Sequence, residues 1–222
     1  YDEIGWMQED DGNYQNARYE DLRSVSREYI HKTRLRVLNG LIPTGRFILD
    51  AGSGPVQYEE YKTYSAGYQK RICLDISIQA LREARNRIGD HGLFVVGDLA
   101  NLPFKKDAFD GAVSMHAIHH LALPEHPKAY AEIHRVLAPG RTAAIVNGWS
   151  DPFISRMAEP FIGLVRKFSG RSAKKKKEWL SEDAPAGTFV EKMTPEWMKR
   201  EIGSKMTIEL KPWRGLSTRI LR

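Results

Sequence analysis

One cysteine, Cys73, is the entire thiol content of this 222-residue chain, so no intramolecular disulfide framework can form. A lone thiol in an apolar run (ICLDI) fits a reducing compartment, and a cytoplasmic location is the expectation. Long apolar runs are missing too. No stretch of ~18 apolar residues offers a transmembrane helix, and no signal-peptide pattern is present. A general excess of charge is also lacking, despite the net +6. Arg166, Lys167, Arg171 and Lys174 to Lys177 supply seven positive charges with no acid among them, and +6 less seven is −1. The basic balance is therefore local, and it does not by itself call for nucleic acid. The Lys174–Lys177 run suits a solvated loop or attraction to phosphate, a membrane surface or an acidic partner.

Apolar residues make up 41% of the chain, enough to bury a core. Residues 1–23 are polar and aromatic. The spacing of Val25, Tyr29, Ile30, Leu35 and Leu38 predicts an amphipathic helix over 24–40, stopped by Gly40. Short apolar runs then alternate with helical patterns. Strands are predicted at 46–50, 71–76, 93–98, 109–115 and 142–149. Helices are predicted at 77–89, with Ser77 as N-cap, and at 126–140. This alternation implies a parallel sheet covered on both faces. Residues 151–190 break the rhythm. A short helix over 194–203 follows, with Thr194 as N-cap and Pro195 at its first position. Residues 205–213 and 217–221 are read as a closing hairpin on the sheet.

The stretch FILDAGSGPVQYEEY (47–61) carries the chemistry. In an open α/β sheet, ligands bind at the carboxyl ends of the strands. Gly52 and Gly54 allow a sharp turn and a close approach of backbone to ligand. A dinucleotide fingerprint would place Gly or Ala at position 57, where this chain has Gln57. A carboxylate at Asp50 would repel a pyrophosphate and welcome a cationic ligand.

Four ordered blocks, LDAGSG, CLDIS, GDLANLPFKKDAFDGAVSMHAIHHL and EIHRVLAPGR, resemble the class I S-adenosylmethionine-dependent methyltransferases, nearest the methyltransferase type 11 group. They cover about residues 46–149. The resemblance implies a Rossmann-like, mostly parallel seven-stranded sheet with helices on both faces and the last strand antiparallel. It implies S-adenosylmethionine as cofactor, held by Asp50, Ala51, Gly52, Ser53 and Gly54 of the loop. Asp75, with Ile76 beside it, would take the ribose hydroxyls. Asp98 would take the adenine amino group, with Leu99 against the ring, and Met115 and His116 would line the floor near the sulfonium. One departure stands out: Val56 occupies the place of the family's third glycine.

Methyl transfer needs alignment of the nucleophile, and a base only where the nucleophile holds a proton. His116, His119 and His120 are the candidates for that base. Their spacing could also hold a metal, but no matching Cys or carboxylate set accompanies it, so no metal is expected. Tyr58 and Tyr61 form either an aromatic wall or ordinary helix packing. Additions at 1–40 and at about 151–190 serve in the family as a lid, with Tyr14, Tyr19 and Arg27 as lid candidates here. The domain proper is then 41–222. The expected acceptor is a small molecule. An RNA acceptor is the alternative, although the fourth strand ends in SMHAIHH, not in the Asn/Asp-Pro-Pro-Tyr type of motif. A non-catalytic binding protein that keeps the fold is the third reading.

Overall fold

A computed structural model describes residues 24–148 and 190–213. The chain enters through α1 (Ser24–Leu35), which tightens into a 3-10 turn over Arg36–Gly40. The alternating elements follow: β1 (Gly45–Ala51), α2 (Glu59–Thr63), β2 (Tyr68–Asp75), α3 (Ile78–Ile88), β3 (Gly92–Val96), β4 (Gly111–Met115), α4 (His126–Val136) and β5 (Ala143–Val146). α5 (Pro195–Glu201) comes after residues 149–189. The caps are those read from the sequence. Ser77 Oγ accepts from Ala80 N at 3.0 Å, and Thr194 Oγ1 accepts from Trp197 N at 3.1 Å.

The described strands form one parallel sheet in the order β3-β2-β1-β4-β5. Consecutive residues are buried on opposite faces, as a doubly covered sheet requires. Leu49 and Leu74 pack toward α4 and α5, beside Ala129, Ile133, Val136 and Met198. Ile48, Cys73 and Val113 pack on the other face with Tyr61, Tyr64, Leu81 and Ala84. Burying each such side chain contributes about 1.5–3 kcal/mol. Cys73 is fully buried and burial pushes its thiol up to about 12, so it is a core residue and not a nucleophile.

Strand order reverses between β1 and β4, and the crevice at their carboxyl ends is where this architecture binds ligands. The expected seventh-strand hairpin reads differently. Residues 205–213 form no ladder among the described residues, and 217–221 lie outside them. Met206, Ile208 and Leu210 do pack on the core at alternating positions, so the facing is strand-like without a pairing partner. The segment is tied instead to the N-terminal helix: Trp213 Nε1 donates to Thr33 O at 2.9 Å, and Arg36 donates to Trp213 O at 3.0 Å.

Candidate functional site

The glycine loop leaves β1 and turns at once onto the end of β2. Gly52 N and Ser53 N both donate to Leu74 O, at 2.8 and 3.0 Å. Gly54 N donates to Asp75 Oδ2 at 2.8 Å. Three successive amides are thus spent on β2. A phosphate cradle needs such amides turned toward the ligand, so this loop is not an anion nest. Gly52 (φ +73°) is required sterically as well: a Cβ there would stand 2.3 Å from Ala117 Cβ. The loop and the turn after β4 therefore touch, and they close the crevice at the switch point. Val56 also sits at φ +51°, a costly conformation for a β-branched residue. Its side chain is wholly buried in the second core cluster, so the loop keeps a glycine-like path at the position where the third glycine is missing.

Asp75 ends β2 with each carboxylate oxygen accepting one main-chain N–H, Gly54 on Oδ2 and Ser77 on Oδ1. With the Ile76 amide also directed at it, the carboxylate keeps a lone pair that can receive a hydroxyl. Burial raises the Asp75 pKa against the lowering effect of the Ser77, Gly54 and Ile76 amides. Ile76 next to it is 63% exposed, an apolar surface at the strand end. Asp98 follows β3. Its Oδ1 accepts from Ala100 N at 2.8 Å and its Oδ2 from Asn101 Nδ2. Leu99, by contrast, is buried in the core beside Leu74 and Leu102, so Ile76 and not Leu99 offers the open apolar face.

Asp50 corrects the electrostatic expectation. Its side chain is buried and not open at the strand end. Its carboxylate is closed off in an ion pair with Arg71, whose Nε lies 3.0 Å away and whose Nη2 also donates to it. Both side chains are buried, and Arg71 further donates to Tyr61 O. The physical reason is register: Ile48 pairs with Arg71 and Asp50 with Cys73, so the Arg71 side chain reaches two residues along to Asp50. Ala51 is wholly buried in β1, and Ser53 is buried with its Oγ donating to Gly54 O at 3.2 Å.

The tyrosines after the loop are structural. Tyr61 and Tyr64 are core residues, and Tyr64 donates to Arg34 O at 2.9 Å. Tyr58 lies edge-on to Tyr61, with the Arg34 guanidinium 3.3 Å from its ring centroid. Arg34 of α1 also pairs with Glu60 at 3.2 Å, and Glu60 is held by His31 at 2.7 Å. Tyr58 and Tyr61 thus dock α1 onto the loop and form no open wall. Arg27 is exposed on α1, and Tyr14 and Tyr19 lie outside the described residues.

Past β4, half-buried Met115 leads into His116, which takes φ +58° and donates its amide to Val146 O at 2.7 Å. Its ring lies 4.7 Å from that of Trp213 and 5.7 Å from that of His119. His119 is buried and its ring is 4.4 Å from His120. Burial, and then the neighbouring His120, His116 and Lys192, push His119 down to about 3. It is neutral near pH 7 and far too weak a base for the role expected of it. Its Nδ1 accepts from Gly148 N at 3.2 Å and its carbonyl accepts from Glu191 N at 2.7 Å. Asn147 Nδ2 donates to the Tyr130 hydroxyl at 2.9 Å. Among the described residues no three His, Cys, Asp or Glu side chains converge as metal ligands.

Sequence reasoning missed Arg71, Trp213, Asn147 and Glu191. Arg71 opens an apolar strand run, which was the one available signal. The others are set by long-range packing.

Residues 49–145 match the methyltransferase-domain family. The chain is 29% identical over 146 residues to the tRNA (carboxymethyluridine(34)-5-O)-methyltransferase of Arabidopsis thaliana, covering 65% of this chain and 32% of that protein. It is 33% identical over 98 residues to the phthiotriol/phenolphthiotriol dimycocerosates methyltransferase of Mycobacterium leprae, covering 44% and 36%. The chain thus spans about a third of the length of these curated relatives. Among solved structures it superposes on a chain of the complex between the Haloferax volcanii Trm112 methyltransferase activator and a methyltransferase. There the TM-score is 0.57 at 20% identity, covering 81% of this chain and 69% of that one.

Proposed function

We propose that this chain, whose residues 49–145 match the methyltransferase-domain family, is an S-adenosylmethionine-dependent methyltransferase acting on a small-molecule acceptor. The observation that carries the reading is the glycine loop turned inward. Gly52, Ser53 and Gly54 spend their amides on Leu74 O and Asp75. Such a loop suits a nucleoside cofactor without phosphate. The cofactor, when bound, supplies a methyl group already activated by a sulfonium.

The residues present fit that cofactor. Asp75 keeps a lone pair for a ribose hydroxyl, Ile76 offers an apolar face, and Asp98 carries a carboxylate at the next strand end. Met115 and His116, just before the Ala117 that touches Gly52, would line the opposite side of the crevice. If the acceptor must lose a proton, His116 or His120 takes it, because His119 stays neutral. The Arabidopsis relative, named for a tRNA substrate, favours RNA as the second reading.

Calorimetry with S-adenosylmethionine and S-adenosylhomocysteine tests the cofactor. Tritiated methyl transfer into a deproteinised metabolite extract, run beside transfer into total RNA, tests the acceptor. Label in the metabolite fraction is expected. Label only in RNA would replace the small-molecule reading, and failure to bind either cofactor form would end both.

A further inference from the structure

β3 is the outer strand of the described sheet and pairs with β2 alone. Gly97 N donates to Asp75 O at 3.0 Å, so by the two-residue alternation of a ladder Leu93 and Val95 turn their main chains to β2. Phe94 and Val96 turn theirs outward, and among the described residues nothing pairs with them. Side chains alternate too, which puts Phe94 and Val96 on the α3 face and Leu93 on the other. The edge is apolar: Leu93 and Val96 stand 48% and 55% exposed, and Ile78 of α3 beside them 46%. An open apolar edge of this kind is ordinarily blunted or covered. The same three residues line a groove of about 780 Å³ between α3 and β3, together with Lys70, Arg82, Arg85 and a single acid, Asp90, so the groove is net positive. Lys70 is spent on the Asp90 carbonyl. Arg82 and Arg85, one helical turn apart on α3, are exposed and have no hydrogen bond or ion pair among the described residues.

Three observations of different kinds meet at this one edge: unpaired main chain, open apolar surface and unpartnered guanidiniums. A small anion would use only the last. A second copy would set one positive groove against another. An added strand uses all three. We infer that the β3 edge takes a strand of an acidic partner protein by sheet extension. The main chain of that strand pairs with Phe94 and Val96, its acidic side chains face Arg82 and Arg85, and its apolar side chains pack beside Leu93. The inference does not depend on which molecule accepts the methyl group.

Hydrogen exchange of the free protein is the first test. The Phe94 and Val96 amides should exchange at least ~100-fold faster than those of Leu93 and Val95, which the β2 ladder holds. Protection at Phe94 and Val96 would mean that the chain itself or a second copy covers the edge, and would overturn the proposal. The binding probe is acetyl-Glu-Val-Glu-Val-Glu-Val-amide, followed by the amide shifts of the isotope-labelled protein. It should move the Phe94 and Val96 signals and slow their exchange; an edge left unchanged by millimolar peptide refutes the inference. Two further peptides carry N-methyl groups on either the glutamate or the valine nitrogens. A strand turns alternate amides to one side, so one of the two should bind like the parent and the other should not. Equal binding of both rules out strand addition. Arg82→Gln/Arg85→Gln should weaken the parent peptide about fivefold at low salt and make little difference at about 1 M, where the screening length is ~3 Å. No loss at low salt would remove the acidic partner. Val96→Pro deletes an outward N–H and no bond to β2, so it should keep the fold and lose the peptide. A folded Val96→Pro variant that still binds it counts against the main-chain pairing. Edge shifts with single-stranded oligouridylate and none with the peptide would assign the groove to RNA and overturn the proposal.

Discussion

Replacing Arg71 by Ala strips a buried carboxylate of its counter-ion. Arg71 is 1% exposed and Asp50 2% exposed, with Nε–Oδ2 at 3.0 Å. The loss also removes one of the two donors to Tyr61 O, leaving the Tyr64 amide at 3.4 Å. Removing one partner of such a pair costs about 3–5 kcal/mol, because an uncompensated charge stays in low dielectric. At ~2–4 °C per kcal/mol for a domain of this size, the melting temperature should fall by roughly 6–20 °C. Urea unfolding followed by circular dichroism measures the free energy directly. The cause is the stranded charge and not the missing volume, so the double variant Asp50→Leu/Arg71→Met should recover most of the loss. It retains only the loss of the guanidinium hydrogen bond to the Tyr61 carbonyl, about 1.5–3 kcal/mol. A double variant as unstable as Arg71→Ala, or a single variant within about 1 kcal/mol of the parent, would refute the reasoning.

Asp75→Ala should weaken S-adenosylmethionine binding by ~10-fold or more, since hydrogen bonds to a charged group contribute about 1.5–3 kcal/mol each; calorimetry checks it. Gly52→Ala should cost about 1–3 kcal/mol in thermal unfolding and lower cofactor affinity, because its methyl group meets Ala117 Cβ at 2.3 Å in a left-handed backbone. His119 carries a pH signature. Its folded pKa, about 3, lies below the ordinary 6.5, so the stabilisation it gives is full above pH 6.5 and is lost as pH falls through that value toward 3. By linkage His119→Gln should flatten the stability profile between pH 7 and pH 5 by about 2 kcal/mol, and an unchanged slope in urea titrations would count against the buried neutral ring.

The strands were legible because each buries neighbouring residues on both faces, as Ile48 with Leu49 and Cys73 with Leu74 do. The caps were legible because Ser77 and Thr194 act on amides three residues away. Asp75 could be placed at a strand end for the same local reason. Asp50 could not be assigned correctly, because its partner lies 21 residues away and depends on the β1–β2 register. The state of His119 was equally hidden, since it depends on an amide 29 residues downstream and on burial. The tyrosines at 58 and 61 resemble a wall until the side chain of Arg34 is known to fill the space beside them.

Cys73 gives the chain a built-in chronometer. It lies on β2, which is paired on both sides, and it is the chain's only sulfhydryl. With its thiol pushed up to about 12 and sealed from water, it cannot react with an alkylating reagent while the strand is in place. Each labelling event therefore records an opening of the central sheet. The rate, followed by mass spectrometry over denaturant, separates local fraying at the chain ends from openings that reach the ligand crevice. Adding the cofactor should slow that rate by the factor with which it favours the closed sheet, so the affinity can be read without knowing the methyl acceptor.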